Sequence, residues 1–571
     1  MGKRHIEEKT GYFSYLLILF IALGPRYAYA QAPASTKAGI IEKKLKDDVT
    51  RSQRPQPKKA PVVQIEDKRS QQGKVSEKTK GGILVKKFLL NGVTIFTSED
   101  LGDLLASYKD KYLGLKELND IATAIQQFYR AKGYITTFVY IPQQKILNNT
   151  VEIRVVEGCI GNIEVEGGKY FSNELTRREF AIREGDTAMY KDLLKGVRRL
   201  NMNPDRTVKA VLLPGEKKDT TDIVLKVSDE NPQHVFLEYN NQGTKYTGKQ
   251  RFGTGYVNNN LLGWDDMLTI RYIRSNEKLN AGSIDYNLPI NVVGTRLGGY
   301  FSYVQETLVR EFTALNANGK AMTGGAYFAH PFLQEEHLRA TFGSGLDIKH
   351  NWNYLLGTQT SSDNVSILKF NIGLDQDDAY GATYLRHEID VGLPDFAGAL
   401  GVDDPDASRL GAGGQFTKYL LNLGRRLNLP FQSFLLLSAR GQYTPEKLVA
   451  SEQFYIGGAD TVRGYPELEY MGDYGYNTSV ELRTPIYLLP KKMKLRDKLQ
   501  MVYFFDYGQG YLRAPLVGEQ KSQSLMGAGW GLRYNPWKNW YFKLDWGFPI
   551  DPQPSDKTKS TIHLWAHVDL V

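Results

Sequence analysis

Apolar and polar residues alternate along the C-terminal part of the chain. From residue 231 onward helical periodicity is absent, and segments of about ten residues alternate between the two kinds of side chain. In the last of these segments Ile562, Leu564 and Ala566 alternate with His563 and Trp565. Clusters of Asn, Gly, Asp and Pro separate the segments, as expected for turns. The pattern predicts sixteen strands, starting near residues 234, 247, 265, 280, 293, 319, 336, 364, 380, 410, 433, 475, 499, 525, 540 and 561.

These strands favour a closed barrel in a membrane. An even number of antiparallel strands with apolar outer faces and polar inner faces is typical of bacterial outer-membrane barrels. A soluble β-sandwich or propeller is the alternative, but an aromatic content of 12% and polar residues on the predicted inner faces favour the membrane. We therefore expect residues 231–571 to form a 16-stranded antiparallel transmembrane β-barrel, wide enough for a water-filled lumen.

Residues 81–230 show helical periodicity between short strands, in an order that occurs twice. In residues 81–157 the side chains of Leu118, Ile121 and Ile125 share one helical stripe. Ser98 is predicted to cap an earlier helix. The order is β-α-α-β-β, and it repeats in residues 158–230. For the repeat we predict a strand at 159–166, helices near 173–182 and 190–201, and strands at 206–213 and 221–228.

The N-terminal region contains a targeting signal followed by a tether. Residues 1–30 combine a polar start, an apolar stretch and the cleavage pattern Ala28-Tyr29-Ala30, which predicts a secretory signal peptide. Residues 31–55 hold one short amphipathic helix, about 36–50, which is marginal in water and needs a docking site. Residues 56–80 are rich in Pro, Lys, Arg and Gln and are predicted to be an extended linker.

Composition and charge exclude several classes of protein. The 571 residues exceed one hydrophobic core, and a mean hydropathy of −0.40 without long apolar runs excludes a bundle of transmembrane helices. Residues 1–80 carry 17 Lys and Arg against 8 Asp and Glu, whereas the remainder carries 55 of each. The basic excess therefore lies in the signal peptide and tether, and gives no support to nucleic-acid binding. With Cys159 as the single cysteine, no internal disulfide is possible.

The sequence shows no constellation typical of an enzyme. We find neither a Gly-x-Ser-x-Gly elbow nor a Walker A motif. His563 and His567 are four apart, but on a strand they line the lumen and no further ligand completes a metal site. Glu481 and Arg483 on the twelfth strand are expected to join a lumenal charge network. We therefore predict no enzymatic activity, metal or cofactor.

Two motifs make the chain recognisable. A long loop between the eleventh and twelfth strands, about residues 448–474, contains the run Val462-Arg463-Gly464-Tyr465. The thirteenth strand carries Asp506 and Gly508 after two phenylalanines, and Asp506 shares the inward parity of Gln500. With the two modules and the tethered helix, this chain resembles the outer-membrane transporters of two-partner secretion (TpsB, the haemolysin secretion/activation type). The modules resemble POTRA (polypeptide-transport-associated) domains.

The resemblance implies a function and partners. The POTRA domains, in the periplasm, receive the N-terminal secretion domain of an unfolded, TpsA-like exoprotein, which then crosses the barrel to the cell surface or medium. The N-terminal helix plugs the lumen at rest, and the long loop folds inward so that Arg463 meets the inner wall, where Asp506 is its expected partner. Outer-membrane lipid surrounds the barrel, and periplasmic chaperones and the barrel-assembly machinery serve its biogenesis.

Other functions remain as alternatives. A barrel insertase of the same superfamily is the nearest one; such proteins usually carry more POTRA modules and lack the plug helix. A lipase-type barrel would need a nucleophile constellation, and a passive porin would not need periplasmic modules. The sequence does not identify the exported protein.

Overall fold

The computed structural model describes residues 65–67, 82–97, 99–187, 189–217, 220–335, 337–486, 498–537 and 539–570. The predicted signal peptide, the predicted plug helix at 36–50 and the predicted cap at Ser98 lie outside these residues. Within the described part of the chain, no helix is both long and apolar enough to cross a membrane.

The first module is a small sheet covered by helices. The apolar stripe of its long helix packs in one core with Val151 and Ile153 of the central strand. The predicted first strand of this module is divided at Lys86, because its first half pairs with residues 111–113 and its second half with residues 150–154. The elements are β2 (Ile83–Val85), β3 (Lys87–Asn91), α1 (Gly102–Ala106), β4 (Lys111–Leu113), α2 (Leu115–Ala131), β5 (Phe138–Tyr140) and β6 (Thr150–Val156).

The second module repeats the predicted order of elements. Its first helix begins where the Ser172 hydroxyl accepts a hydrogen bond from the Leu175 N–H at 3.1 Å, and ends at Ala181 in the left-handed region. The elements are β7 (Cys159–Gly167), α3 (Asn173–Phe180), α4 (Tyr190–Leu200), β8 (Arg206–Pro214) and β9 (Thr220–Asp229). One strand was not predicted. The tether, predicted to be an extended linker over 56–80, contributes β1 (Ile65–Asp67) to this sheet, parallel to β8.

Sixteen antiparallel strands form a closed barrel, as the alternation predicted. The first strand pairs with both the second and the last, so the sheet has no free edge. The transmembrane strands are β10 (Gln233–Asn240), β11 (Arg251–Asn258), β12 (Met267–Ser275), β13 (Leu279–Pro289), β14 (Arg296–Thr307), β15 (Asn318–Gln334), β16 (Leu338–Leu355), β18 (Val365–Asp378), β19 (Gly381–Gly392), β20 (Thr417–Asn428), β21 (Phe434–Tyr443), β24 (Tyr474–Pro485), β25 (Leu499–Tyr511), β26 (Ser522–Tyr534), β27 (Trp540–Asp551) and β28 (Thr561–Asp569). A short strand, β17 (Thr358–Ser362), extends the hairpin at the end of β16.

The two faces of each strand follow the predicted parity. On β25, Tyr503 and Phe505 are 51% and 43% exposed, whereas Phe504 and Asp506 are buried. The exposed aromatic side chains face the lipid, and the buried carboxylate faces the lumen. The barrel thus presents an apolar exterior and a polar interior.

Candidate functional site in the barrel lumen

The segment between the eleventh and twelfth transmembrane strands, residues 444–473, folds into the barrel. It begins four residues before the predicted start at 448. Two short strands within it, β22 (Phe454–Ile456) and β23 (Tyr470–Gly472), pair antiparallel. Val462 is fully buried and packs in one apolar cluster with Leu525 of the barrel wall. This lumenal loop therefore has its own ordered structure and fills part of the channel.

Arg463 lies at the tip of the lumenal loop and is only 5% exposed. Its Nε and Nη2 donate to the two carboxylate oxygens of Asp506 at 2.7 and 2.8 Å, and its backbone N–H donates to the same carboxylate at 3.0 Å. Nη1 donates to Glu481 at 2.7 Å and reaches Asp545 at 3.4 Å. The guanidinium carbon lies 3.5 Å from the centre of the Phe504 ring. The bidentate fork and the stacked face are properties of arginine that lysine lacks.

The contact between Arg463 and Asp506 belongs to a larger group of charges. Arg483 Nε donates to Glu481 at 2.6 Å, and Arg533 pairs with Asp545 at 2.6 Å. We call this group the lumenal charge cluster: the cations Arg463, Arg483, Arg533 and Lys543, and the carboxylates Glu481, Asp506 and Asp545. Every carboxylate has at least one cation partner. Removing a partner from a buried pair is costly, so the cluster stabilises the inward position of the loop.

Glycines on the inner wall make room for the loop tip. A Cβ at Gly508 would lie 2.8 Å from a methyl carbon of the loop. A Cβ at Gly527 would lie 2.1 Å from the Arg463 carbonyl oxygen, and one at Gly547 would lie 2.5 Å from the Gly464 nitrogen. Gly508 belongs to the motif on the thirteenth strand, whereas no sequence motif marked Gly527 or Gly547. Their inward parity on neighbouring predicted strands was the available signal.

The remaining residues of the loop motif have separate contacts. Gly464 has a φ of +100°, a conformation that side chains with a Cβ rarely adopt, and a Cβ there would lie 2.8 Å from the Phe548 carbonyl carbon. The Tyr465 hydroxyl donates to the Met526 carbonyl at 3.0 Å. The motif therefore combines a charged anchor, a turn that requires glycine, and a hydrogen bond to the wall.

Two carboxylates that sequence analysis missed hold the base of the loop. Glu452 is fully buried and accepts hydrogen bonds from Lys349 at 2.7 Å and from Lys418 at 2.6 Å. Asp473 is also fully buried and pairs with Arg409. These partners lie on other strands and loops of the barrel, 34 to 103 residues away in sequence. No local sequence pattern predicts such pairs.

The second module meets the barrel at the first periplasmic turn, residues 259–266. Asn203 Nδ2 donates to Asp265 Oδ1 at 2.6 Å and to the Asn259 carbonyl at 2.8 Å. Asn259 Nδ2 in turn donates to Asp205 Oδ2 at 2.7 Å. We call this set of contacts the module–barrel joint. Its bonds run in both directions across the boundary, and therefore restrict rotation of the module.

A buried arginine adds charge to the joint. Arg206 is fully buried, pairs with Glu179 at 2.7 Å and lies 3.8 Å from Asp265. Burial and the negative charge of Asp265 raise the pKa of the Glu179 carboxyl, and the Arg206 guanidinium opposes that shift. Two carboxylates thus share one guanidinium at the boundary between module and barrel.

The predicted polar role of the C-terminal histidines agrees with their contacts. His563 is buried in the lumen and lies 3.5 Å from the Gly464 N–H, which donates to it. His567 lies 3.0 Å from the Asp569 carboxylate. Over the described residues, no group of three or more His, Cys, Asp or Glu side chains is placed to hold a metal ion.

Fold and site together define a class: an outer-membrane β-barrel with periplasmic α/β modules and a loop held inside its lumen. Residues 219–534 match the model of the haemolysin secretion/activation protein ShlB/FhaC/HecB, and residues 83–158 match the ShlB-type POTRA domain. The chain belongs to this haemolysin secretion/activation family.

Individual proteins also resemble this chain in sequence or in fold. The chain is 25% identical to the heme/hemopexin transporter protein HuxB of Haemophilus influenzae (strain 86-028NP), over 80% of this chain and 81% of that one. The structure of CdiB from Escherichia coli matches 95% of this chain and all of that chain, with a TM-score of 0.72 and 20% identity. BamA from Haemophilus ducreyi, lacking POTRA domains 1–3, shares the fold with a TM-score of 0.54, 15% identity and coverage of 86% and 100%.

The family supplies the function that sequence analysis predicted. The chain is an outer-membrane transporter of two-partner secretion, with its POTRA domain in the periplasm. The family is one of transporters rather than enzymes, and it implies a secreted exoprotein as partner. The insertase alternative is less well supported, because the likeness to BamA extends to the fold alone.

Proposed function

We propose that the lumenal loop is the gate of the transporter and that Arg463 is its latch. The observation that carries this proposal is the burial of Arg463 among three carboxylates of the wall, at the tip of a loop that fills part of the channel. An unfolded chain needs a continuous path through the lumen. The latch holds the loop in one position at rest, and passage of the exoprotein requires that the loop tip shift along the wall.

The periplasmic modules are the proposed receptor for the exoprotein. In the first module β5 forms one edge of the sheet, and its Phe138 side chain is 50% exposed beside Tyr140. An extended segment can add to such an edge through backbone hydrogen bonds, which do not depend on its sequence. Because the exoprotein arrives unfolded, this mode of binding suits it. The second module, with the same order of elements, is proposed to be a second POTRA domain.

The helix predicted at residues 36–50 is proposed to plug the lumen at rest. Beside the lumenal loop, the barrel carries a cavity whose lining combines apolar side chains with the charged side chains of Arg271, Asp285, Asp347 and Lys369. The polar face of an amphipathic helix has partners there. Transport needs no chemical step by the protein in this proposal, since folding of the exported chain outside the cell drives it.

A deletion tests the receptor role. The chain lacking residues 82–157 is expressed with its exoprotein, and exoprotein in the medium is measured relative to heat-modifiable barrel in the outer membrane. We expect the barrel to insert normally, because it closes its own backbone hydrogen bonds, and export to be lost. Export at the wild-type level would contradict the proposed receptor role of the first module.

A further inference from the structure

The tether occupies an edge of the second module's sheet. The order of strands is β1-β8-β9-β7, and β1 is the outermost strand beside β8. Residues Ile65, Glu66 and Asp67 are in register with Ala210, Val211 and Leu212, and the two strands run parallel. The edge strand of this sheet therefore comes from a segment that precedes the whole first module.

The first module shows the same edge without such a partner. Its sheet has the order β3-β6-β5, and β5 occupies the place that β8 takes in the second module. Among the residues that the structure describes, no strand adds to the outer side of β5. The fold itself thus does not require the extra strand, and β1 is an addition specific to the second module.

We propose that the outer edge of β8 is a docking surface for an extended segment of the exoprotein, and that residues 65–67 occupy it until the exoprotein displaces them. This inference rests on the proposed receptor role of the modules. It adds that the outer sheet edge of the second module is covered at rest by the chain's own tether, which also carries the predicted plug helix. Docking of the exoprotein and release of the tether are then one exchange.

The geometry favours exchange over permanent closure. The tether strand covers three of the nine residues of β8, so a longer incoming strand can form more backbone hydrogen bonds. Parallel pairing is also slightly less stable per residue than antiparallel pairing. Meanwhile Ala210 and Leu212 are fully buried in the module's own core, which keeps β8 in place when its neighbour leaves.

Covalent attachment keeps the tether in place against weak competitors. Fifteen residues, 68–82, connect β1 to β2, and a short linker gives an effective concentration on the order of millimolar. If the tether occupies the edge about nine-tenths of the time, disabling it raises the apparent affinity for a competing strand about tenfold.

Proline substitutions test the exchange directly. Backbone N–H groups of alternate residues in a strand point to opposite sides, so either Glu66→Pro or the double variant Ile65→Pro with Asp67→Pro removes donors to β8. The other variant removes donors on the open side and is the matched control. The probe is a fluorescein-labelled peptide of residues 60–70, bound to the full chain in detergent.

We expect one of the two proline variants to bind the peptide about tenfold more tightly than the wild type, while the other matches the wild type. A change of less than twofold in both variants would overturn the proposal.

A disulfide lock tests the consequence for export, in a Cys159→Ser background. Glu66→Cys with Val211→Cys joins partners in register on neighbouring strands, where a disulfide is geometrically possible. Glu66→Cys with Thr207→Cys is four residues out of register and is the control. We expect a crosslink in the first variant alone, and at least a tenfold loss of exported protein that a reductant restores.

The outcomes separate the two proposals. A crosslink that leaves export at the wild-type level overturns the exchange but leaves the transport function intact. Absence of the in-register crosslink overturns the tether strand itself. If export survives deletion of residues 82–157 while the disulfide lock still blocks it, the second module alone is the receptor, and the exchange of tether for exoprotein is supported.

Discussion

At the scale of single residues, the burial of Arg463 decides how the latch works. A loop arginine in a wet channel would form an exposed ion pair worth about 0–1 kcal/mol. In this structure the guanidinium is buried and contacts three carboxylates and one aromatic ring. Loss of such a partner costs about 3–5 kcal/mol, because the remaining charges stay in place without it.

Arg463→Ala is therefore expected to destabilise the inward loop by about 3–5 kcal/mol. We expect export to fall at least tenfold, because a loop tip that is no longer held against the wall obstructs the path of the exoprotein. Arg463→Lys keeps the charge but loses the bidentate contact and the stacking on Phe504, so we expect an intermediate loss. The measurement is exoprotein in the medium, normalised to inserted barrel.

Arg386→Ala is the matched control for that experiment. Arg386 Nη2 also contacts both carboxylate oxygens of one residue, Asp375, at 2.7 and 2.8 Å, but the two side chains are 33% and 39% exposed. Its loss should change export by less than twofold, because an exposed pair is worth little. Wild-type export by Arg463→Ala would remove the latch proposal. The exchange of Arg463 and Asp506 should not restore export, since Glu481 and Asp545 would then face a carboxylate in place of the Arg463 guanidinium.

The wall glycines allow the latch to be tested without altering any charge. A Cβ at Gly527 would overlap the Arg463 carbonyl oxygen, so Gly527→Ala should displace the loop tip and reproduce the export defect of Arg463→Ala. In Gly324→Ala the new methyl group meets no atom within 4 Å, so this variant is the control. Normal export by Gly527→Ala would show that the seating of the loop tip is not needed for transport.

At the scale of elements, the module–barrel joint determines where an incoming chain is presented. Side chains of the second module and of the first periplasmic turn form three hydrogen bonds between 2.6 and 2.8 Å. The buried pair of Arg206 and Glu179 lies directly beside them. Backbone continuity alone would leave the module free to rotate about residues 230–232, so the orientation depends on these side chains.

Replacement of both Asn203 and Asn259 by Ala should broaden the distribution of distances between the second module and the barrel. Spin labels at Lys195 and Tyr380 report that distance by double electron–electron resonance in the full chain. We expect a narrow distribution in the wild type and a wide one in the double variant. Asn173→Ala, which loses a hydrogen bond within the module, is the control. An unchanged distribution would mean that other contacts set the orientation.

At the scale of the whole molecule, the proposed resting state has both the lumen and the open edge of the second module occupied by segments of the chain itself. The loop occupies part of the channel, the tether strand occupies the edge of the second module, and the predicted helix at 36–50 precedes both in the sequence. Fourteen residues, 51–64, separate the predicted helix from β1, and a segment of this length spans at most about 46–50 Å when extended, more than the hydrocarbon core of about 30 Å. The helix can therefore reach the lumen from the periplasmic modules.

Deletion of residues 31–55 should raise single-channel conductance in planar bilayers, because it removes the proposed plug. Replacing Ile40, Ile41 and Leu45 with Ser should have the same effect, since it removes the apolar face that lets the helix form. Replacing Lys43 and Lys46 with Ser leaves that face and should change conductance less. Unchanged conductance in the deletion would contradict the plug.

Much of the architecture was accessible from sequence because it depends on local periodicity. Alternation with a period of two determined the sixteen strands and which side chains face the lumen, and Asp506 followed from parity alone. Helical stripes in the modules predicted the order of elements, since an apolar stripe must be buried in any fold. The distribution of charge located the basic residues in the tether.

The tertiary structure alone decided which distant groups meet. Parity turned Glu481, Asp506 and Asp545 inward, but only closure of the barrel brought all three to one arginine. Glu452 contacts Lys349, which lies 103 residues away in sequence. The three-residue strand at Ile65–Asp67 pairs with residues 210–212, much later in the chain. Such contacts leave no periodic trace, because they depend on the path of the whole chain rather than on neighbours in sequence.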